Sequence, residues 1–225
     1  MKVKNLEKWE RKSHYEWFSS FANPSLSFDV KMNITKVLSF CKKRDISSFA
    51  VIMYVICDCI NKNKAMRLRI LNSQVVEIER ANIAYTAMPK DSTMQEESCF
   101  VNCRVSTKNG FDAYLDELKN NKEKYNVCNY IQDKFNNTAV IDDIYCSCIP
   151  WLNFMSVKQP IPDESPENKS IPRACWGKYY KEGNSVFMTL NITANHALIN
   201  GMDLSNVFND IQNTFDNIYT YFSEV

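Results

Sequence analysis

Histidine is nearly absent from this chain, with two in 225 residues, His14 and His196. Metal centres built from several imidazoles have almost nothing to draw on. An excess of one charge is lacking too. The 27 basic and 26 acidic residues leave a formal +1, so no global field draws the chain to DNA, RNA or an anionic membrane, and nucleic acid is not an expected partner. No uninterrupted apolar run approaches the roughly 20 residues of a membrane span. The N-terminal MKVKNLEKWERK is charged where a signal peptide would be apolar. A cytoplasmic location without a membrane partner is expected. Linker-like composition is also missing between the ends. With 45% hydrophobic and 12% aromatic residues, residues 1–225 read as a single domain around one sizeable core.

Cysteine is abundant by contrast, at nine residues. The number is odd and several lie in apolar runs such as VIMYVICDCI and IYCSCIP, which points to reduced core thiols rather than a disulfide framework. Cys57 with Cys59 and Cys146 with Cys148 are C-x-C pairs, not C-x-x-C with partner histidines, so no metal is expected.

Hydrophobic spacing alternates between helix and strand periods without a repeat. Leu6, Trp9 and the group His14, Tyr15, Trp17, Phe18 predict a first helix, ended by Asn23-Pro24. Asn33 is placed to cap ITKVLSFCKKR, and Ser47 or Ser48 to cap FAVIMYVICDCI. RLRILNSQVVEIER reads as a hairpin about Asn72-Ser73, followed by strands in IAYTAM and SCFVNCRV. Phe111, Tyr114, Leu115 and Leu118 mark another helix before a strand in IYCSCIPWLNF. QPIPDESPENKSIP reads as surface loop. ACWGKYYKEGNSVFMTLNITAN gives two strands joined at Glu182-Gly183-Asn184, and Met202 to Tyr221 is helical in pattern. The expected class is α+β, a two-layer sandwich of a mostly antiparallel mixed sheet with helices on one face.

His196 then falls in TANHALINGMDLSNVF, at the junction of a long strand and the last helix. Such junctions expose side chains and often carry chemistry. A lone histidine beside Ala197 and Leu198 is, on the residues alone, more often a packed residue with one hydrogen-bond partner than a base.

Five blocks bear on the choice. WERKSHYEWF, AMRLRI, YCSCIPWLNF, GKYYKEG and the His196 stretch resemble, in the same order between residues 9 and 212, the motifs W-x-R-[KR]-x-H-F-E-x-F, F/L-R-M-A-[IM], S-A-x-P-W-[VL]-x-F, [GA]-K-Y-x-x-[QE/T]-G and H-H-x-x-x-D-G of the chloramphenicol acetyltransferase family. The resemblance implies an acetyl-CoA-dependent O-acetyltransferase acting on chloramphenicol or a related small alcohol. It implies a homotrimer with active sites at subunit interfaces. His196 matches the general base that takes the hydroxyl proton, and Ser147 matches the serine that donates to the oxyanion. Trp151, Lys178 and Tyr179 match positions near the coenzyme, and Phe18, Ser19, Gln95 and Cys175 match the acceptor pocket. A catalytically weakened homologue that binds a small molecule or coenzyme A is the alternative.

Departures from the pattern concentrate at the loop. Asn195 replaces the first motif histidine, and Asn200 replaces the aspartate that pairs in the family with the arginine matching Arg11. A buried arginine without a carboxylate costs about 3 to 5 kcal/mol. An Asn200 carbonyl accepting from Arg11 would return roughly 0.5 to 1.5 kcal/mol of that. Asp203 is either a replacement carboxylate or an exposed charge favourable to the helix dipole. Ser19 and Gln95 stand where the family has aromatic residues, which predicts weaker contact with a nitrophenyl ring.

Overall fold

The computed structural model describes residues 1–88, 100–124, 141–161 and 165–223, with the main chain alone for 122–124. After a two-residue strand β1 (Lys2–Val3), the aromatic segment expected as one helix is split. Asn5 Oδ1 accepts from the Glu7 N–H and caps a 3₁₀ turn at Leu6–Lys8, Trp9 is extended, and α1 begins only at Lys12 (Lys12–Ser19). The following strand β2 (Ser25–Asn33) was not among the predicted elements, although Leu26, Phe28, Val30 and Met32 alternate at period two. In α2 (Thr35–Arg44) Asn33 Oδ1 accepts from the Thr35 N–H at 3.0 Å, while Ile34 holds the N-cap position. α3 (Ser48–Lys62) follows Ser47 and is buried from Ala50 to Asn61 without a break, as a helix with no polar face must be.

β3 (Leu68–Leu71) and β4 (Gln74–Glu77) form the predicted hairpin. Asn72 and Ser73 both take positive φ, 49° and 61°, as a two-residue turn matching strand twist requires. With β1 they make a small antiparallel sheet. Then come β5 (Asn82–Ala87), β6 (Val101–Val105), α4 (Gly110–Lys124) and β7 (Asp143–Ile149). The proline-bearing stretch is not all surface loop. It holds α5 (Pro166–Ser170), whose Asn168 and Ser170 are buried. Ser165 Oγ accepts from the Asn168 N–H, and Pro166 lies in the first turn, where its missing N–H costs nothing. β8 (Arg173–Gly177), β9 (Tyr180–Glu182), β10 (Ser185–Asn195), α6 (Gly201–Asp216) and α7 (Ile218–Tyr221) complete the order.

The large sheet runs β2-β10-β8-β7-β5-β6, with β9 on β10. Its β2/β10, β10/β8, β10/β9 and β5/β6 pairs are antiparallel, and β5/β7 and β7/β8 are parallel. Met188, Leu190 and Ile192 of β10, Trp176 of β8 and Cys146 of β7 bury one face in a cluster shared with α2, α3, α4 and α6. Each of the larger aliphatic side chains there is worth about 1.5 to 3 kcal/mol of burial. Strand alternation sends their neighbours to the opposite face, where the Arg173 guanidinium donates to Asn168 O of α5. Asp29, Asn191, Cys175 and Ser147 are successive cross-strand partners there, forming one row across four strands. Seven cysteines among the described residues are free, six of them buried. Burial pushes the Cys41 thiol up to about 11 and Cys59 up to about 12, which keeps them protonated. Cys99 and Cys128 lie outside the described residues. Among the described residues no group of three or more His, Cys, Asp or Glu could hold a metal ion, and no helix is long and apolar enough to cross a membrane.

Candidate active site

His196 stands one residue past the end of β10. The β2/β10 ladder closes at Asn195 opposite Ser25, and the His196 N–H adds one further bond, to Pro24 O at 2.6 Å. Asn195 then turns the chain: its side-chain oxygen accepts from the Ala197 N–H at 2.9 Å, and its carbonyl accepts from Leu198 and Ile199. This turn carries the Ile199 carbonyl to 2.9 Å from His196 Nδ1. A carbonyl only accepts, so Nδ1 carries a proton and, in the neutral ring, Nε2 keeps its lone pair.

Helix α1 faces the same loop with residues three and four apart. Phe18 stacks on the His196 ring at 3.9 Å between centroids and 24° between planes. Ser19, the next residue, is exposed. It is not part of this contact, because successive helix positions are rotated by about 100°. Gln95 lies outside the described residues.

Arg11, at the start of α1, donates from Nη1 and Nη2 to Asp203 Oδ2 and Oδ1 at 2.5 and 3.0 Å. Their side chains are 33% and 15% exposed, and the hydrogen bonds to Asp203 hold the guanidinium above its ordinary pKa. Asn200 does not meet Arg11. Its short side chain folds over the first turn of α6, where Oδ1 accepts from the Asp203 N–H at 2.9 Å, while Asp203 Oδ2 accepts from the Asn200 N–H at 2.9 Å. This reciprocal pair is a capping box. One carboxylate thus caps the helix and takes the arginine at once.

Ser147, half-buried on the face of β7 turned away from the core cluster, lies with its hydroxyl 3.0 Å from Thr86 Oγ1. Cys175 sits opposite it on β8, 2% exposed, its thiol pushed up to about 12 by burial. The fold does not bring Ser147 and His196 together within one copy. Ser147 is level with Asn191, two strands away, and His196 follows Asn191 by five residues, so strand spacings of about 4.8 Å and rises of about 3.4 Å separate them by roughly 20 Å.

Trp151 and Lys178 share one corner. Trp151 is 54% exposed, and the exposed Lys178 is tied to the same turn by its N–H to Leu152 O at 2.9 Å. Gly177 permits that approach, since a Cβ there would sit 3.0 Å from Leu152 O and 3.1 Å from the Phe154 ring. An exposed indole and an exposed lysine on one turn are residue types that suit a ligand with both an aromatic base and phosphates. Tyr179 differs. It packs against the core with its hydroxyl 3.5 Å from Ser48 Oγ, and burial pushes its phenol up to about 12. A packing role is the direct account of that residue.

Comparison with known proteins adds a second line. The chloramphenicol acetyltransferase family profile matches residues 1–212. The chain belongs to the chloramphenicol acetyltransferase family. Among similar proteins, a chloramphenicol acetyltransferase of Staphylococcus aureus is 25% identical over 210 residues, covering 92% of each chain. One of Proteus mirabilis is 25% identical over 216 residues, covering 95% of this chain and 94% of its own. A solved chloramphenicol acetyltransferase superposes with a TM-score of 0.81 at 22% identity, over 95% of this chain and 99% of that one. As a member of the chloramphenicol acetyltransferase family, the chain is an acyltransferase. Two contacts of this site escaped the reading of residues, Thr86 with Ser147 and His14 with His196. The second had a signal, because His14 follows Arg11 by three and precedes Phe18 by four, which puts all three on one helix face.

Proposed function

We propose that this chain is an acetyl-CoA-dependent O-acetyltransferase for a small alcohol, with His196 as general base and Ser147 as oxyanion donor. The observation that carries the reading is the Nδ1–H bond to Ile199 O, which leaves Nε2 unprotonated on a ring fixed from behind. Nε2 takes the proton of the acceptor hydroxyl as its oxygen attacks the thioester carbonyl, so no free alkoxide forms near neutral pH. Ser147 donates to the oxygen that gains the charge. Collapse of the intermediate expels the CoA sulfur, and the proton held on Nε2 passes to it.

Base and donor must lie within a few ångströms of one carbon, and roughly 20 Å of sheet separates them in one copy. The reading therefore includes a homotrimer in which His196 of one subunit faces Ser147 of the next. Trp151 and Lys178 hold the coenzyme just past the C-terminal ends of β7 and β8, and Phe18 and Cys175 belong to the acceptor side. Release of CoA thiol from acetyl-CoA, measured with chloramphenicol and then with a panel of primary and secondary alcohols, tests the activity. Turnover with at least one acceptor is expected. Coenzyme binding without turnover on any of them would favour the alternative of a weakened, binding-only homologue.

Arg11 and Asp203 support the histidine loop in this scheme. Asp203→Asn keeps a capping oxygen but removes the charge, and is expected to cost about 1.5 to 3 kcal/mol, the range for a hydrogen bond to a charged group. That is on the order of 3 to 12 °C in melting temperature for a chain of this size. Asn200→Asp keeps the cap and places a second carboxylate beside Asp203, which already neutralises Arg11, so it is expected to be neutral or slightly harmful. A gain in both melting temperature and kcat for Asn200→Asp would show that Arg11 is still short of a partner.

A further inference from the structure

The two histidines of the chain, 182 residues apart, meet at this site. His14 Nε2 lies 2.5 Å from the His196 main-chain oxygen, and since a carbonyl only accepts, His14 is the donor. Its ring stands edge-on to that of His196 at 5.2 Å and 65°, and lies 4.7 Å from Phe18. His196 is thus held at every soft point. Pro24 takes its N–H, His14 holds its carbonyl, Ile199 takes its Nδ1–H and Phe18 stacks on its ring. The first two contacts fix the peptide planes on either side of its Cα, and the last two fix the ring.

We propose that His14 is a positioning residue for His196. The inference rests on the reading of His196 as the base. His14 touches no reacting atom. Its Nε2–H sets the orientation of the His196–Ala197 peptide, and that peptide begins the turn which delivers the Ile199 carbonyl to Nδ1. Loss of the donor frees the peptide to rotate, and the turn, the tautomer and the aim of Nε2 loosen together. A misplacement of about 1 Å at a reacting atom costs on the order of 100-fold in rate.

His14→Phe and His14→Gln separate donation from packing. Phenylalanine keeps a ring against Phe18 and cannot donate, whereas the glutamine side-chain amide reaches a similar distance with an N–H. His14→Phe is expected to lower kcat by roughly 10- to 100-fold, with KM for acetyl-CoA within about twofold of normal, and His14→Gln to recover most of the loss. In His14→Phe, His196 is the sole remaining histidine, so its ¹⁵N imidazole spectrum needs no assignment. A shift away from the pure Nδ1–H tautomer is expected. In the unsubstituted protein the His14 Nε2–H is expected to exchange slowly with solvent, a measurement that requires no variant to fold. Full activity in His14→Phe, equal losses in both variants, an unchanged His196 tautomer, or rapid exchange of the His14 proton would each overturn the proposal. Survival of activity in His196→Ala would instead remove the base reading on which it rests.

Discussion

His196→Ala is expected to lower kcat by roughly 10²- to 10⁴-fold, the range of a positioned general base, with folding and coenzyme affinity preserved. The side chain contributes one ring stack, one edge-on contact with His14 and one hydrogen bond to its own loop. Its removal leaves the β2/β10 ladder and the α6 cap untouched. A thiol-release assay at saturating acceptor measures kcat, and titration calorimetry with acetyl-CoA reports coenzyme binding independently. Near-normal turnover would eliminate proton transfer by this residue and leave Phe18 stacked on an inert ring.

Ser147→Ala is expected to cost about 10²- to 10³-fold in kcat with little change in acetyl-CoA affinity, because a donor aimed at an oxyanion strengthens only as the charge develops. Thr86 sharpens the test. It sits 3.0 Å from Ser147 Oγ and could orient that hydroxyl or partly replace it, so a loss near 10-fold in Ser147→Ala would point to Thr86 as a second donor. The two variants also probe assembly. If base and donor come from neighbouring subunits, refolding His196→Ala and Ser147→Ala chains together in equal amounts creates sites with both groups intact. About one quarter of the sites then recover, by random assortment around a closed ring. No recovery would mean that one copy supplies both groups, which the sheet register opposes.

Much of this site was legible before the fold was known, for reasons that differ by residue. Blocks in family order picked out His196 and Ser147, since chemistry tolerates few residue types at those two positions. The helices from Thr35 and from Ser48 and the hairpin at Asn72-Ser73 followed from local signals of capping, burial period and turn type. β2 was passed over because Ser25, Ser27, Asp29 and Lys31 face away from the core cluster, and so many polar residues dilute an alternation that only its partner strand makes obvious. The split first helix depends on Asn5 capping a turn too short to show periodicity. Asn200 was the harder case. Whether its oxygen faces an arginine or an amide is decided by the backbone of the first turn of α6, and residue type alone is silent on that. Asp203 became readable as the arginine's partner only once Arg11, 192 positions earlier, was seen beside it.

Helix α1 buries no residue fully, yet Arg11, His14 and Phe18 along it reach the histidine loop from one side. From α1 the core takes only the partly buried Tyr15, so the helix behaves as a brace on a scaffold built mainly elsewhere. Fraying of residues 12–19 would register first as lost turnover and only later as a lower melting temperature. Heat, crowding of the N-terminus by a fused partner, or a nick near residue 20 is each expected, on the proposed role of His196, to lower turnover before the melting temperature falls.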